Sequence, residues 1–164
     1  MFEMKHRASF LAVLFVLLLQ AGPAFCQQLT VQIGDGKPTV LTRADIAALP
    51  HVKVSTSASG AAATFEGVAL EAVLEKAGVE FGASLKGKRL ASYLLVEAAD
   101  GYRVVIALPE LDPAFTDKQV VLAFLKDGKP LDEKEGPYRL VMPDEKRMAR
   151  WVRQVTMLKI VDVQ

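Results

Sequence analysis

The sequence predicts an α+β fold: a single compact domain, mainly antiparallel or mixed sheet, with short helices. Three observations carry that reading. Short apolar, β-branched runs are separated by tight-turn dipeptides, notably Asp100-Gly101 and Asp127-Gly128, which supply the positive-φ positions of a hairpin turn. Helical spacing of apolar residues is brief, clearest at Leu70, Val73, Leu74 and Ala77. The chain has 164 residues, 51% of them hydrophobic, enough for one core, and it shows no internal repeat or linker.

The core is not expected to include the first residues. Lys5 and Arg7 give a positive start, Phe10–Leu19 is an unbroken apolar run, and Gly22, Ala24 and Cys26 bring small residues suited to peptidase cleavage. Residues 1–26 therefore read as a signal peptide and 27–164 as the mature domain. Cleavage after Cys26 or after Ala24 fits the spacing. Phe25, just before the cysteine, argues against a lipoprotein site, and no Arg-Arg pair precedes the apolar run, so a Sec-type signal to a periplasmic or secreted destination is expected. The whole chain has 20 basic and 19 acidic residues; removing Glu3, Lys5 and Arg7 with the signal leaves 18 of each. A neutral mature domain has no basic excess for nucleic acid or an anionic membrane, and no membrane span is expected once the signal is cut. At most one cysteine remains, which excludes a disulfide framework, and the lone mature histidine, His51, excludes a His/Cys zinc site. His51 follows Pro50 and reads as a surface residue.

In order, Leu29–Ile33 alternates as a half-buried strand, and Pro38–Leu41 returns after a glycine turn. Thr42 caps a short helix with Asp45 in the reciprocal position; Ile46 and Leu49 form its apolar face and Pro50 ends it. Val52–Ser57 alternates again and Ser57–Ala63 is a small-residue loop. Thr64–Glu66 is a short extended piece, and Gly67 leads into a helix from about Ala69 to Ala77, stopped by Gly78. Phe81–Lys88 reads as a loop, Leu90–Glu97 and Tyr102–Leu108 as a hairpin, and Pro109–Phe115 as a single turn. Val120–Lys126 is a strand that reverses at Asp127-Gly128. Gly136-Pro137 breaks the chain, and Tyr138–Met142 is a strand stopped by Pro143. Asp144–Trp151 reads as a helical turn with acids first and bases later, and Val152–Val163 as the last strand. Leu70, Leu74, Val104, Ile106, Val121, Phe124, Leu140, Met142 and Val155 are the expected core.

The order of these motifs resembles the molybdopterin-binding oxidoreductase domain of the sulfite-oxidase-like superfamily. Phe65-Glu66-Gly67-Val68-Ala69-Leu70 with Ala77-Gly78-Val79 is similar to its W-x-G-V-P-L and A-G-V segments. Asp100-Gly101-Tyr102 resembles its D-G-Y turn, and Asp127-Gly128-Lys129-Pro130-Leu131 its N-G-x-P-L turn. Gly136–Pro143 resembles its G-x-P-x-R-x-V-x-P strand, and Arg147–Trp151 its R-x-x-K-W segment. The resemblance runs from about Leu29 to Val163. It implies a scaffold for a pterin carrying molybdenum, ligated by a cysteine thiolate from the loop after an early strand. That loop falls at Ser55–Gly60, STSASG, where no cysteine stands, and serine oxygen is a poor replacement for a soft thiolate. A cofactor inserted before export also implies the twin-arginine route, which this signal lacks.

By resemblance, the candidate site residues are Ser55 and Ser57 in the ligand loop, Asp100 and Tyr102 at the hairpin turn, and Arg139, Arg147 and Arg150 near the pterin and its phosphate. None has a catalytic role assigned, and no metal ligand is expected. Each has a plainer reading: a simple hairpin for Asp100, the basic end of a helix for Arg147 and Arg150, and solvent for Glu133 and Glu135 in their polar loop. Arg139 is the only polar side chain in an apolar strand, so it points either to solvent or into an anion pocket. The sequence thus leans to an exported, cofactor-free binding module for a small anionic ligand or a protein partner. The alternatives are a molybdopterin-dependent oxidoreductase with unusual ligation, or an accessory subunit of a redox system. N-terminal sequencing of exported protein should read from Gln27, or from Phe25 if the peptidase cuts after Ala24; a membrane-bound chain starting at Met1 would refute the signal.

Overall fold

The computed structural model describes residues 28–57, 60 and 62–163, so the expected signal peptide lies outside the described residues, as do Ala58 and Ser59 of the ligand loop and Ala61 just after it. Ten strands and two α-helices run in the order β1 (Leu29–Ile33), β2 (Thr39–Leu41), α1 (Arg43–Ala47), β3 (His51–Thr56), β4 (Ala63–Ala69), α2 (Leu70–Lys76), β5 (Tyr93–Ala98), β6 (Arg103–Ala107), β7 (Val121–Lys126), β8 (Lys129–Pro130), β9 (Arg139–Val141) and β10 (Val155–Val161). One sheet has the order β2-β1-β10-β5-β6. In the other, β3-β4-β7-β8, β9 also pairs with β7, beside β8. Every pairing is antiparallel except β1 with β10, which fits the tight turns that join the strands.

Both sheets feed one apolar core. Alternation drives this: along β5, Leu94, Val96 and Ala98 are buried, while Tyr93, Leu95 and Glu97 lie on the more open face. Helix α2 adds Leu70, Val73 and Leu74, all fully buried. Of the expected core, only Phe124 is less than buried; it flanks the core and meets the edge of the His51 ring at 5.2 Å. The hairpins turn where the dipeptides stand, with Asp127, Gly128 and Gly101 all at positive φ. Thr42 and Asp45 form the reciprocal cap: Asp45 N donates to Thr42 Oγ1 at 3.2 Å, and Thr42 N donates to Asp45 Oδ2 at 2.9 Å. His51 is on the surface, near Glu66 Oε1 and the Ala47 carbonyl.

Four local expectations are corrected. Strand β4 does not stop at Glu66; it runs through Gly67 to Ala69. Gly67 is there because β7 comes too close for a side chain. A Cβ at this position would stand 2.1 Å from the Leu122 carbonyl oxygen, next to the register shift between Glu66 and Gly67. The region before β5 is two 3₁₀ turns, Gly82–Ser84 and Gly87–Ala91. Ser92 then sets the strand's start, its hydroxyl bonded to Asp162 and its carbonyl to Leu108 N. Asp144–Trp151 forms only the 3₁₀ turn Met148–Arg150, because Glu145 is drawn off to Arg150 and no side chain caps the turn. The last strand starts late, at Val155, because Val152 and Gln154 bond β9 and its preceding loop instead, with Gln154 at positive φ.

Gly67→Ala should lose about 3 kcal/mol or more of stability, since the added methyl meets backbone that cannot give way, and thermal unfolding of the variant measures it.

Candidate functional site at Trp151

Arg139 does neither of the things its sequence position suggested. Strand β9 carries it inward, and its side chain is 6% exposed. The guanidinium lies 5.2 Å from the Phe65 ring centre and 5.6 Å from that of Trp151, and those two rings meet edge to face. Its NH1 donates to Glu135 Oε1. Lys126 Nζ adds a second cation, 3.4 Å from the same carboxylate oxygen. A buried guanidinium is tolerable only when neutralised, and the ring faces add cation–π attraction of about 1–2 kcal/mol in such a dry setting. Its Nε has no hydrogen-bond partner among the described residues. The expectation of a solvated loop therefore fails for Glu135, whose side chain is 16% exposed, while Glu133 stays exposed. No local pattern marked this pair, since a four-residue spacing brings side chains together on a helix whereas Glu135 lies in a loop and Arg139 in a strand; Phe65 gave no signal beyond its motif.

Trp151 connects this stack to the surface. Its indole N–H donates to the Met142 carbonyl at 3.0 Å, which fixes the ring, and the residue lines an open cleft of about 390 Å³. The other walls are Ala98, Asp100 and Tyr102 from the β5–β6 hairpin, and Met148, Ala149 and Arg153 from the segment before β10. Asp100 Oδ1 accepts from Tyr102 N at 2.9 Å, which orients its carboxylate. The Tyr102 hydroxyl donates to the Ala149 carbonyl at 2.7 Å and ties the two walls together. Arg153, which the sequence reading passed over, is exposed and makes no ion pair among the described residues.

The other candidates lie elsewhere. Arg150 donates to Glu145, stands 3.5 Å from Glu110 Oε2 and reaches the Val105 carbonyl at 3.4 Å. Burial works against its charge, but the bond it donates to Glu145 and the charges of Glu145 and Glu110 reverse that, holding its pKa above the usual arginine value. Because β6 is a sheet edge, Arg150 and Glu110, which also accepts from Ala107 N, cover backbone groups that another strand would otherwise pair with. Arg147 is exposed at the start of the 3₁₀ turn, not at the end of a helix. Ser55 is exposed on β3 with its hydroxyl 3.1 Å from that of Thr64, and Ser57 is exposed just beyond. The fold thus brings Asp100, Tyr102 and Trp151 together, with Arg139 behind the indole; Ser55, Ser57, Arg147 and Arg150 are not among the described residues lining that cleft. No group of three or more His, Cys, Asp or Glu side chains is placed to hold a metal among the described residues.

The domain is thus a two-sheet α+β fold whose β5–β6 turn is bonded to the segment leading into β10. The chain belongs to the oxidoreductase molybdopterin-binding domain family, whose model matches residues 26–164. Its fold is similar to the crystal structure of the sulfane dehydrogenase SoxCD from Paracoccus pantotrophus, with a TM-score of 0.64 and 23% identity. That likeness covers 83% of this chain and 38% of the SoxCD chain, and at this identity it speaks to fold alone. No curated protein sequence matches.

Glu135→Ala should cost about 3 kcal/mol or more, because it strands the Arg139 charge in the core. The double variant Glu135→Leu with Arg139→Met should recover much of that loss in chemical denaturation; equal losses in the single and double variants would refute the coupling.

Proposed function

We propose that this chain is an exported, cofactor-free binding module on the molybdopterin-binding oxidoreductase scaffold, with the cleft beside Trp151 as its ligand site. The observation that carries this reading is the commitment of Arg139. The arginine that the resemblance sets near a pterin is closed in by Phe65, Trp151 and Glu135, so its charge is already satisfied within the protein. Arg150 is likewise held by Glu145 and Glu110. The donor set does not fit a thiolate-ligated metal: the loop after β3 offers Ser55, Thr56 and Ser57, and the one cysteine is Cys26, ahead of the domain strands. A Sec-type signal fits a protein that folds after export and needs no preloaded cofactor.

Molybdenum and pterin content of protein purified from its native compartment tests this. Metal far below one atom per chain is expected. Stoichiometric molybdenum with a bound pterin would overturn the reading in favour of an oxidoreductase with unusual ligation.

A further inference from the structure

We propose that the Trp151 cleft takes a small zwitterion, a free amino acid with an apolar side chain. This rests on the binding-module reading and names the ligand class of that site. Arg153 and Asp100 line the same cleft with opposite charges, yet neither forms an ion pair among the described residues, with each other or with any other side chain. Four other arginines are matched to carboxylates, Arg89 with Glu80, Arg103 with Glu97, Arg139 with Glu135, and Arg150 with Glu145; exposed Arg147 makes no such pair among the described residues, but it lies outside the residues lining the cleft. In the cleft the two charges do not pair, and Ala98, Met148, Ala149 and Trp151 supply apolar surface in the same hollow.

That arrangement selects by charge on two sides. A simple anion drawn to Arg153 would also meet the Asp100 carboxylate, and a simple cation drawn to Asp100 would meet the guanidinium. A molecule carrying both an ammonium and a carboxylate satisfies both. The guanidinium takes a carboxylate through two parallel N–H donors, and the free Oδ2 of Asp100 accepts from an ammonium. The walls are set beforehand. Asp100 is oriented by Tyr102 N, the Tyr102 hydroxyl holds the Ala149 carbonyl, and the Ala99 N–H to Gln154 carbonyl bond at 2.9 Å fixes the chain beside Arg153 to the hairpin. About 390 Å³ is room for one amino acid with its side chain against Met148 and Trp151.

The test is calorimetry and thermal shift on the mature full chain with L-leucine, L-methionine and L-phenylalanine, each beside its N-acetyl and its carboxamide form, and with inorganic phosphate as a plain anion. The free amino acids should bind, and both blocked forms should bind at least tenfold more weakly. Arg153→Gln should bring the free amino acid down to the level of its amide and cause no further loss for the amide itself. Asp100→Asn keeps the oxygen that accepts from Tyr102 N, and should do the same for the N-acetyl form. Blocked forms that bind equally well, variants that behave like the parent, or no amino-acid binding at all would overturn the proposal. Phosphate binding lost in Arg153→Gln, without amino-acid binding, would sink the zwitterion and leave the binding module standing. Stoichiometric molybdenum would remove the module reading itself.

Discussion

A guanidinium inside a core has to be answered from within, and that requirement organises this domain. Arg139 enters from β9 and Phe65 from β4, both in one sheet, and Trp151 from the segment leading to β10, so the stack joins that sheet to the approach to the other. Glu135 must sit within reach, which fixes the loop before β9. The backbone follows suit: Gln154 N donates to the Glu135 carbonyl, Val155 N to the Tyr138 carbonyl and Leu140 N to the Val152 carbonyl. These bonds stitch the approach to β10 along the approach to β9. The charge pair is not in itself a large source of stability, since desolvation offsets most of its attraction. Its weight lies in specification, because arrangements that separate Glu135 from Arg139 leave a charge stranded.

The same requirement bears on function. An arginine can recognise an external anion only if its charge is left open for that anion. Within this fold Arg139 and Arg150 are spent on internal carboxylates, the first to hold the two-sheet core and the second to cover the β6 edge. In the proposed binding module, recognition falls to residues with no internal counter-charge, and in the cleft these are Arg153 and Asp100.

The turns were legible in the sequence because their physics is local. Asp127-Gly128 and Asp100-Gly101 need positive φ within two residues, and the Thr42–Asp45 cap closes within three. The alternation of β5 and β6 and the helical stripe of α2 were readable for the same reason. The misreadings arose where a distant partner decides. Gly67 looks like a strand exit until β7 arrives against it. Glu135 looks solvated until Arg139 folds in beneath it. The acid-then-base pattern of Asp144–Trp151 looks helical until Glu145 is drawn to Arg150, leaving one 3₁₀ turn. Of the candidate site, Asp100, Tyr102 and the Trp151 segment were marked by their motifs, whereas Arg153 falls just past the motif and only the fold brings it to the cleft.

The segment from Glu145 to Trp151 shows how one short stretch meets several demands at once. Its arginine reaches a backbone carbonyl of the exposed edge strand, which would otherwise be open to pairing with another chain. Its Ala149 carbonyl accepts the Tyr102 hydroxyl, which draws the segment onto the end of the β5–β6 hairpin. Its tryptophan turns inward to the Arg139 stack while still lining the cleft. A regular helix would hold these side chains to fixed 100° steps around one axis. The single 3₁₀ turn instead lets Arg150 reach the β6 edge and Trp151 turn to the core, while the Ala149 carbonyl meets the Tyr102 hydroxyl and places a cleft wall against the hairpin.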